Sequence, residues 1–504
     1  METYDAVVIG AGNGGLTASA TLARNGLNIL LLERHNIPGG AATSFCRGRF
    51  EFEVALHQLS GIGTDEKPGP LRMLLNEIGV MDKLEFVPMN DLYRVVLPGQ
   101  VDITLKPDKN RIVTELQQLF PEEKQGIETF FDLVWKFFSE VIGVFYFKDP
   151  EVSREKYPHF FQYALKNLQE VFDRYLKNPV LKTIISPYWT YMGLPPSRLA
   201  FVDMAAMLFA YSEFLPYHLK GGSQALSNAL ANTVLSNGGT IRFNCGAEKI
   251  IVENSQIKGI VTETGDEINT RLVISNASKI STYIDLMEPE HVPQKIFDEL
   301  KQSTLAQSAF TLYLGLDCPP EKVGLHASTN FIIGDTDPER IYERMHQREI
   351  GEKDGMLLTC YDLIDSGFSP KGCSQIALVT LKYGDCWLSV PLEKYAKEKF
   401  RVADSMLSAA EKVHPGIRDH IEEMEIATPI THLRYLGHPK GSIYGFDSYL
   451  RNSTLFIPNR SDIKGLYHTG GWYGSSGFQP TLEAGVKTAK ALIREFSAQQ
   501  EGAR

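Results

Sequence analysis

Short apolar runs and helix-spaced apolar stripes alternate from the first residues onward. Tyr4-Asp5-Ala6-Val7-Val8-Ile9 is short, apolar and β-branched, which predicts a strand covered on both faces. Residues 16–25 then place Leu16, Ala20 and Ala23 on one helical face, and Gly26 follows where a helix C-terminus favours glycine. Residues 27–32 predict a second buried strand, ending at Glu33. From 71 to 217 long apolar and aromatic side chains recur at helical spacing, with Phe130, Phe131, Trp135, Phe137 and Phe138 ahead of Pro150, and Tyr188, Trp189, Met204 and Met207 further on. That pattern predicts helices, most of whose aromatic residues form core.

After Lys220-Gly221-Gly222, Ser223 suits the N-cap of a helix over 224–236. Strands are predicted at 240–243, 248–253, 258–264 and 272–277, the middle two as a meander with turns at Asn254-Ser255 and Gly265-Asp266. Further strands are expected at 310–316 and 375–381, and an amphipathic helix at 393–413. At the C-terminus a strand over 465–469 runs into Gly470-Gly471, and Pro480 suits the first position of a helix over 481–496. Residues 499–504 read as a frayed tail. The strand–helix units at the two chain ends complete one sheet only together. The expected fold is therefore α/β: a Rossmann-type domain with a parallel sheet and a β-meander from 1–70, 218–290 and 425–504, and a discontinuous α+β substrate domain from 71–217 and 291–424.

The first forty residues carry the strongest chemistry. Gly10, Gly12, Gly14 and Gly15 stand between a strand and a helix, and Glu33, followed by Arg34, closes the next strand. Gly10 allows the tight turn, Gly12 lets backbone approach a pyrophosphate, and Gly15 lets the helix pack close. Free N–H groups at the helix start meet phosphate charge, and Glu33 can accept hydrogen bonds from ribose hydroxyls. A bare glycine-rich turn would not account for Glu33. Gly39 and Gly40, followed by Ala41, Thr43 and Ser44, can bring backbone against a second part of a long dinucleotide.

Composition narrows the class further. With 43% hydrophobic and 22% charged residues among 504, the chain is globular and long enough for two to four cores. Its net charge of −10, from 51 basic and 61 acidic residues, disfavours a nucleic-acid binder. No apolar run is long enough to cross a membrane and no signal peptide is evident. The six cysteines form no CxxC pair and are expected as reduced, buried thiols. There is no GxxxxGK[ST], HExxH or GxSxG, and no histidine pair at i, i+4. Hydrolytic chemistry has no constellation here, so a cofactor must carry the reaction.

The run from Phe50 through Glu53, Ala55 and His57 to Gly61, with the two glycine-rich ends, resembles the phytoene desaturase superfamily of FAD-dependent polyene oxidoreductases, which also holds carotenoid isomerases and retinol saturases. Glu53 and Ala55 stand where the family pattern has Asp and Gly, and the run 56–61 is most similar to retinol saturases. The resemblance implies FAD, with Gly39 and Gly40 on the flavin side, Glu248, Lys249 and Ile250 at the adenine end, Asn276 in a family-type pair with Ala277, and Gly470, Gly471, Tyr473, Gly477, Phe478, Gln479 and Pro480 around the isoalloxazine. Gly485 is expected to help the last helix approach the flat ring. His57 becomes the acid/base candidate, a structural histidine beside the flavin being the alternative, while Glu53 orients the loop. Trp472 and Tyr473 are expected to pack on the ring. His468 and Cys46 lie in flavin-side segments where covalent attachment is conceivable, although non-covalent binding is expected.

The implied substrate is a long apolar polyene or isoprenoid lipid that undergoes saturation, desaturation or isomerisation. The implied electron partner is an external quinone, oxygen or a reductase. The implied setting is cytoplasmic, with peripheral contact to a membrane or lipid droplet. A flavin amine oxidase and a non-catalytic prenyl-lipid carrier of related architecture stay open as other readings.

Overall fold

The computed structural model describes residues 2–447, 461–473 and 476–502. Five parallel strands, β1 (Ala6–Ile9), β2 (Ile29–Leu32), β3 (Thr240–Arg242), β4 (Val273–Ser275) and β5 (Leu466–His468), lie in the spatial order β3-β2-β1-β4-β5. Every residue of β1, β2, β4 and β5 is buried, which is why these runs lack polar alternation. Strand order reverses between β1 and β4, and in such sheets a crevice opens at the carboxyl ends there. α1 (Asn13–Arg24) connects β1 to β2. It starts three residues before the predicted point, because first-turn N–H groups need no intrahelical partner and so the glycines can already be helical. The meander Ala247–Glu253, Gln256–Thr262 and Glu267–Asn269 turns at Asn254-Ser255, both with positive φ, as a tight hairpin requires.

A seven-stranded sheet runs Ile421–Ala427, Ser308–Leu316, Ser374–Lys382, Gly355–Thr359, Thr329–Ile333, Tyr93–Leu97 and Val101–Leu105 in spatial order. The strand Ile421–Ala427 crosses the boundary placed at 425. Phe310, Leu312 and Leu314 point to one face, where Val402, Met406 and Ala410 of the helix Leu392–Glu411 cover them. Ala309, Phe331 and Leu357 belong to the opposite face, under the helical layer. There α2 (Lys124–Phe145) packs Phe130 and Phe137 against Phe201 of α3 (Phe201–Glu213). Most of the aromatic stripe is thus core. Among the described residues no helix is long and apolar enough to cross a membrane.

Two further helices, α4 (Gly222–Ser236) and α5 (Phe478–Gly502), flank α1. Three expectations change here. Gly221, not Ser223, is the N-cap of α4, because both the N–H and the hydroxyl of Ser223 are taken by Glu53. Pro480 is the third residue of α5 rather than the first, a position whose missing N–H also costs no helix bond. α5 continues through 499 to Gly502, where a frayed tail was expected, since extending a formed helix carries no nucleation cost. Gly474 and Ser475 of the C-terminal motif lie outside the described residues. All six cysteines are free, but Cys46 is exposed, against the expectation of burial, because it stands on the outer hairpin Ser44–Arg47/Phe50–Glu53.

Candidate functional site

Four glycines of the 10–15 turn and an asparagine define one end of the crevice. Gly10 has φ +90°, which a side chain would strain. A Cβ on Gly15 would overlap the Gly10 carbonyl, so helix and strand touch as anticipated. A Cβ on Gly12 would stand 3.0 Å from Asn276 Nδ2, and one on Gly14 would stand 2.7 Å from Asn276 Oδ1 and 2.8 Å from Gly470 N. Asn276 Nδ2 in turn donates to the Gly10 carbonyl at 3.3 Å. Asn276 therefore joins the N-terminal turn to Gly470 at the end of β5. No side chain caps α1, whose N-cap is Gly12. The first-turn N–H groups are left for ligand oxygens.

Glu33 is 8% exposed and accepts from Ala11 N at 2.7 Å and His35 N at 2.8 Å. Burial raises its pKa, and these N–H bonds oppose the rise. They use two of about four acceptor positions on a carboxylate, leaving the others for ribose hydroxyls. Arg34 is exposed and its guanidinium lies against Gly437. Gly39 N donates to the Ala11 carbonyl at 2.8 Å, and a Cβ on Gly40 would stand 3.3 Å from Gly12 Cα. The double glycine thus runs directly beside the turn. Ala41 is half-buried; the Thr43 hydroxyl bonds Gln224 and that of Ser44 bonds Glu51.

The meander begins beside Glu33, since Cys245 N donates to the Glu33 carbonyl at 2.9 Å. Ile250 is buried, whereas Glu248 and Lys249 are exposed, and Lys249 pairs with Glu288 at 2.7 Å. At the C-terminal motif, Tyr473 stacks on His468 with centroids 4.0 Å apart and Trp472 meets His438 edge-on at 5.3 Å. His468 Nε2 lies 2.7 Å from the Tyr283 hydroxyl, and burial lowers its pKa to about 3. A Cβ on Gly61 would stand 2.5 Å from Gln479 Oε1, so the 56–61 run meets the start of α5. Gly471, Phe478 and Pro480 are half-buried and Gly477 is exposed beside them. Gly485 faces α1: a Cβ there would overlap the Thr17 hydroxyl and the Gly14 carbonyl. It seats α5 on α1, which corrects its expected approach to a flat ring.

His57 occupies a loop held from several directions. Glu53, 2% exposed, accepts from Ser223 N at 2.7 Å, Ser223 Oγ at 2.6 Å, Leu56 N at 3.1 Å and Ala55 N at 3.2 Å. The Tyr361 hydroxyl donates to the Leu56 carbonyl, and that of Tyr211 donates to the Gln58 carbonyl at 3.1 Å. Gln58 Nε2 donates to the Tyr188 hydroxyl at 3.2 Å. Among the described residues the buried Nδ1 of His57 has no hydrogen-bond partner, and its ring lies 6.4 Å from that of Tyr191. Burial lowers its pKa to about 4, so the ring is neutral at neutral pH.

Sequence reasoning missed Tyr188, Tyr211, Ser223 and Tyr361 as supports of this loop. It also missed the buried pair of His218 Nε2 and Asp365 Oδ2 at 3.2 Å, whose carboxylate also accepts Gly221 N at 2.9 Å. Their only advance signal was the aromatic richness of the intervening segments.

These residues fit a dinucleotide with a flavin end. The helix start is uncapped, and among the described residues Asn13 Oδ1, Thr469 Oγ1 and His57 Nδ1 are buried without hydrogen-bond partners. A family model for an NAD(P)-binding Rossmann-like domain matches residues 8–77. The chain is similar to the chloroplastic prolycopene isomerase of Daucus carota, 26% identical over 521 residues that cover 99% of this chain and 81% of that protein. It is similar also to the all-trans-retinol 13,14-reductase of Danio rerio, 24% identical over 530 residues that cover 98% and 86%. Among solved structures, an oxidoreductase from Methanosarcina mazei shares the fold with a TM-score of 0.64 at 19% identity, over 97% of this chain and 100% of that one. With the Rossmann-like start, the shared fold and relatives spanning nearly its whole length, the chain is similar to the phytoene desaturase, carotenoid isomerase and retinol saturase superfamily of flavoproteins.

Proposed function

We propose that the protein is an FAD-dependent oxidoreductase acting on carbon–carbon bonds of a long apolar polyene or isoprenoid lipid of carotenoid or retinoid type. The observation that carries this reading is the convergence of the 10–15 turn and Gly470 around Asn276, with Gly40 against Gly12, Glu33 bonded to Ala11 N, and the His57 loop meeting the start of α5 through Gly61 and Gln479. FAD, when bound, supplies two-electron redox chemistry at its flavin ring. The α1 start holds pyrophosphate and Glu33 holds ribose. Segments 245–250 border the adenine end, and Gly470, Gly471, Tyr473 and residues 477–480 border the flavin. N–H groups at the start of α5 stabilise negative charge on the ring. His57 exchanges a proton at the carbon beside the one that exchanges a hydride, and Tyr188, Tyr191 and Tyr211 keep water from it.

In this reading 1–70, 218–290 and 425–504 carry the cofactor, and the stretches between hold substrate. Exposed Phe147 (80%) and Leu165 (72%), beside Tyr146 and Phe161, support docking on a membrane or lipid-droplet surface. Quinone, oxygen or a reductase is the electron partner. The test is to load the protein with FAD and incubate its oxidised and reduced forms anaerobically with phytoene, a cis-lycopene and retinol. A product differing by two hydrogens marks saturation or desaturation, and an isomer of equal mass marks isomerisation. A colourless protein that takes up no FAD, or one that leaves every polyene unchanged, overturns the reading.

A further inference from the structure

Two distant segments meet at one end of the seven-stranded sheet. The strand Ser308–Leu316 ends at Leu316, and Asp317 and Cys318 follow. On the edge strand Ile421–Ala427 the register slips, since Gly315 pairs with Glu423 but Leu316 with Ile421. The extra residue bends that strand as a bulge does, and His420, just ahead of it, comes beside Asp317. Asp317 N donates to the His420 carbonyl at 3.0 Å, and Asp317 Oδ1 lies 2.8 Å from His420 Nδ1. Cys318 is held as well. Its carbonyl accepts from Ser374 Oγ at 2.8 Å, and Pro319 after it favours an extended backbone. Because pleated alternation stops with the strand, Asp317 and Cys318 need not point to opposite faces.

One ligand atom from each of Asp317, Cys318 and His420 lies within 4.8 Å of the other two. Among the described residues no other three acidic, cysteine or histidine side chains meet in this way. Each member has an ordinary explanation alone. Cys318, 5% exposed, packs with Leu316, Val323 and Leu325 in the core. The Asp317 and His420 side chains are 55% and 28% exposed, and a surface pair of that kind contributes little to stability. Neither explanation accounts for a buried sulfur beside both. Around a tetrahedral zinc ion, bonds of about 2.0–2.3 Å put ligand atoms roughly 3.3–3.8 Å apart. Small side-chain rotations bring the three groups to that spacing.

We propose that Asp317, Cys318 and His420 bind a zinc ion, with water in the fourth position. Thiolate and imidazole select zinc over calcium and magnesium, which take oxygen ligands. Binding releases the thiol proton to solvent. The ion then joins the Leu316 end of its strand to the edge strand of the sheet. That end also supports the hairpin ahead of His57: Arg49 bonds Glu422 at 2.6 Å, and a Cβ on Gly315 would stand 2.5 Å from the Phe50 ring. The assignment stands independently of the polyene chemistry.

The test uses the full-length protein as purified, kept reduced and stripped of metals by a chelator that is then removed. Zinc is titrated calorimetrically, and cobalt(II) is titrated as its coloured substitute. Expected is one ion per chain, with a zinc Kd of about 1 µM or tighter. The cobalt form should show a thiolate-to-cobalt band in the near ultraviolet and d–d bands beyond the flavin absorption. Cys318→Ser should remove the thiolate band and weaken zinc at least about 100-fold. His420→Gln should weaken it similarly, and Asp317→Ala about tenfold or more. Cys46→Ser, on the exposed hairpin, should change nothing. Circular dichroism checks that each variant is folded, and the wild-type cobalt spectrum decides without any variant. A wild type that takes up no stoichiometric zinc overturns the proposal, as does a cobalt spectrum without the thiolate band. So does displacement by excess calcium, loss of binding in Cys46→Ser, or zinc affinity left unchanged by any of the three ligand substitutions.

Discussion

Glu53 accepts both the main-chain N–H of Ser223, at 2.7 Å, and its hydroxyl, at 2.6 Å, across 170 residues of chain. One carboxylate thereby starts α4 and also holds Ala55 and Leu56, the residues leading to His57. The variant Glu53→Ala leaves four donors in a buried place without their acceptor. It should lose about 3 kcal/mol or more of stability in urea unfolding. Glu53→Gln keeps one acceptor oxygen and should lose less. Equal and small losses for both would show that the loop is held by its tyrosines alone.

Gly485 is expected to tolerate nothing larger. Gly485→Ala forces α5 away from Thr17 and the Gly14 carbonyl, and overpacking of this kind costs about 1–3 kcal/mol. Because Gly14 belongs to the proposed phosphate turn, FAD occupancy should fall with it. Occupancy is read from the flavin absorbance of purified protein. Full occupancy at wild-type stability would contradict the close helix contact.

Glu33→Ala removes the acceptor of Ala11 N and His35 N together with the proposed ribose contact. FAD affinity should drop by about tenfold or more in titration, since a hydrogen bond to a charged group contributes about 1.5–3 kcal/mol. Glu33→Gln, which keeps an acceptor, should fall between. Unchanged affinity in the alanine variant would remove Glu33 from the site.

Acid should weaken this protein through its buried histidines. Burial holds His57, His414, His432 and His438 at pKa values of about 4 and His468 at about 3, against 6.5 in an unfolded chain. Between pH 6.5 and 4 the unfolded state therefore binds more protons, and stability falls as pH drops through that window. Urea midpoints at pH 7.5 and 5 should differ accordingly, and His57→Gln should narrow the difference. For turnover, the acid limb assigned to His57 should lie near pH 4, not 6.5. His57→Ala should impair turnover more than FAD binding; turnover equal to wild type would take His57 out of the mechanism.

The dinucleotide unit was legible because its signals are local. A parallel strand covered on both faces must be apolar throughout, and a strand–turn–helix crossing must place glycine at Gly10 and Gly15. The Asn254-Ser255 turn and the strands Ser308–Leu316 and Ser374–Lys382 are readable for the same reason, each depending on neighbours a few residues away. The end of α5 was misread because its last turns continue on a helix already formed, with no stop residue to weigh.

What the sequence by itself determined, then, is the glycine-and-acid pattern that backbone geometry demands: Gly10, Gly12, Gly15 and Glu33 at one end of the chain and Gly470 and Gly477 at the other. Only tertiary structure decided who serves that pattern. Ser223 resembled an ordinary helix cap until Glu53 was found to take both of its donors. Asn276 was one residue of a matching pair until Gly10, Gly12, Gly14 and Gly470 closed around its carboxamide. Local conformational preference acts over a few residues and is written in their order. Burial and hydrogen-bond pairing between segments hundreds of residues apart arise only when the chain folds back on itself, because a buried polar group is stabilised by whichever partner packing delivers to it.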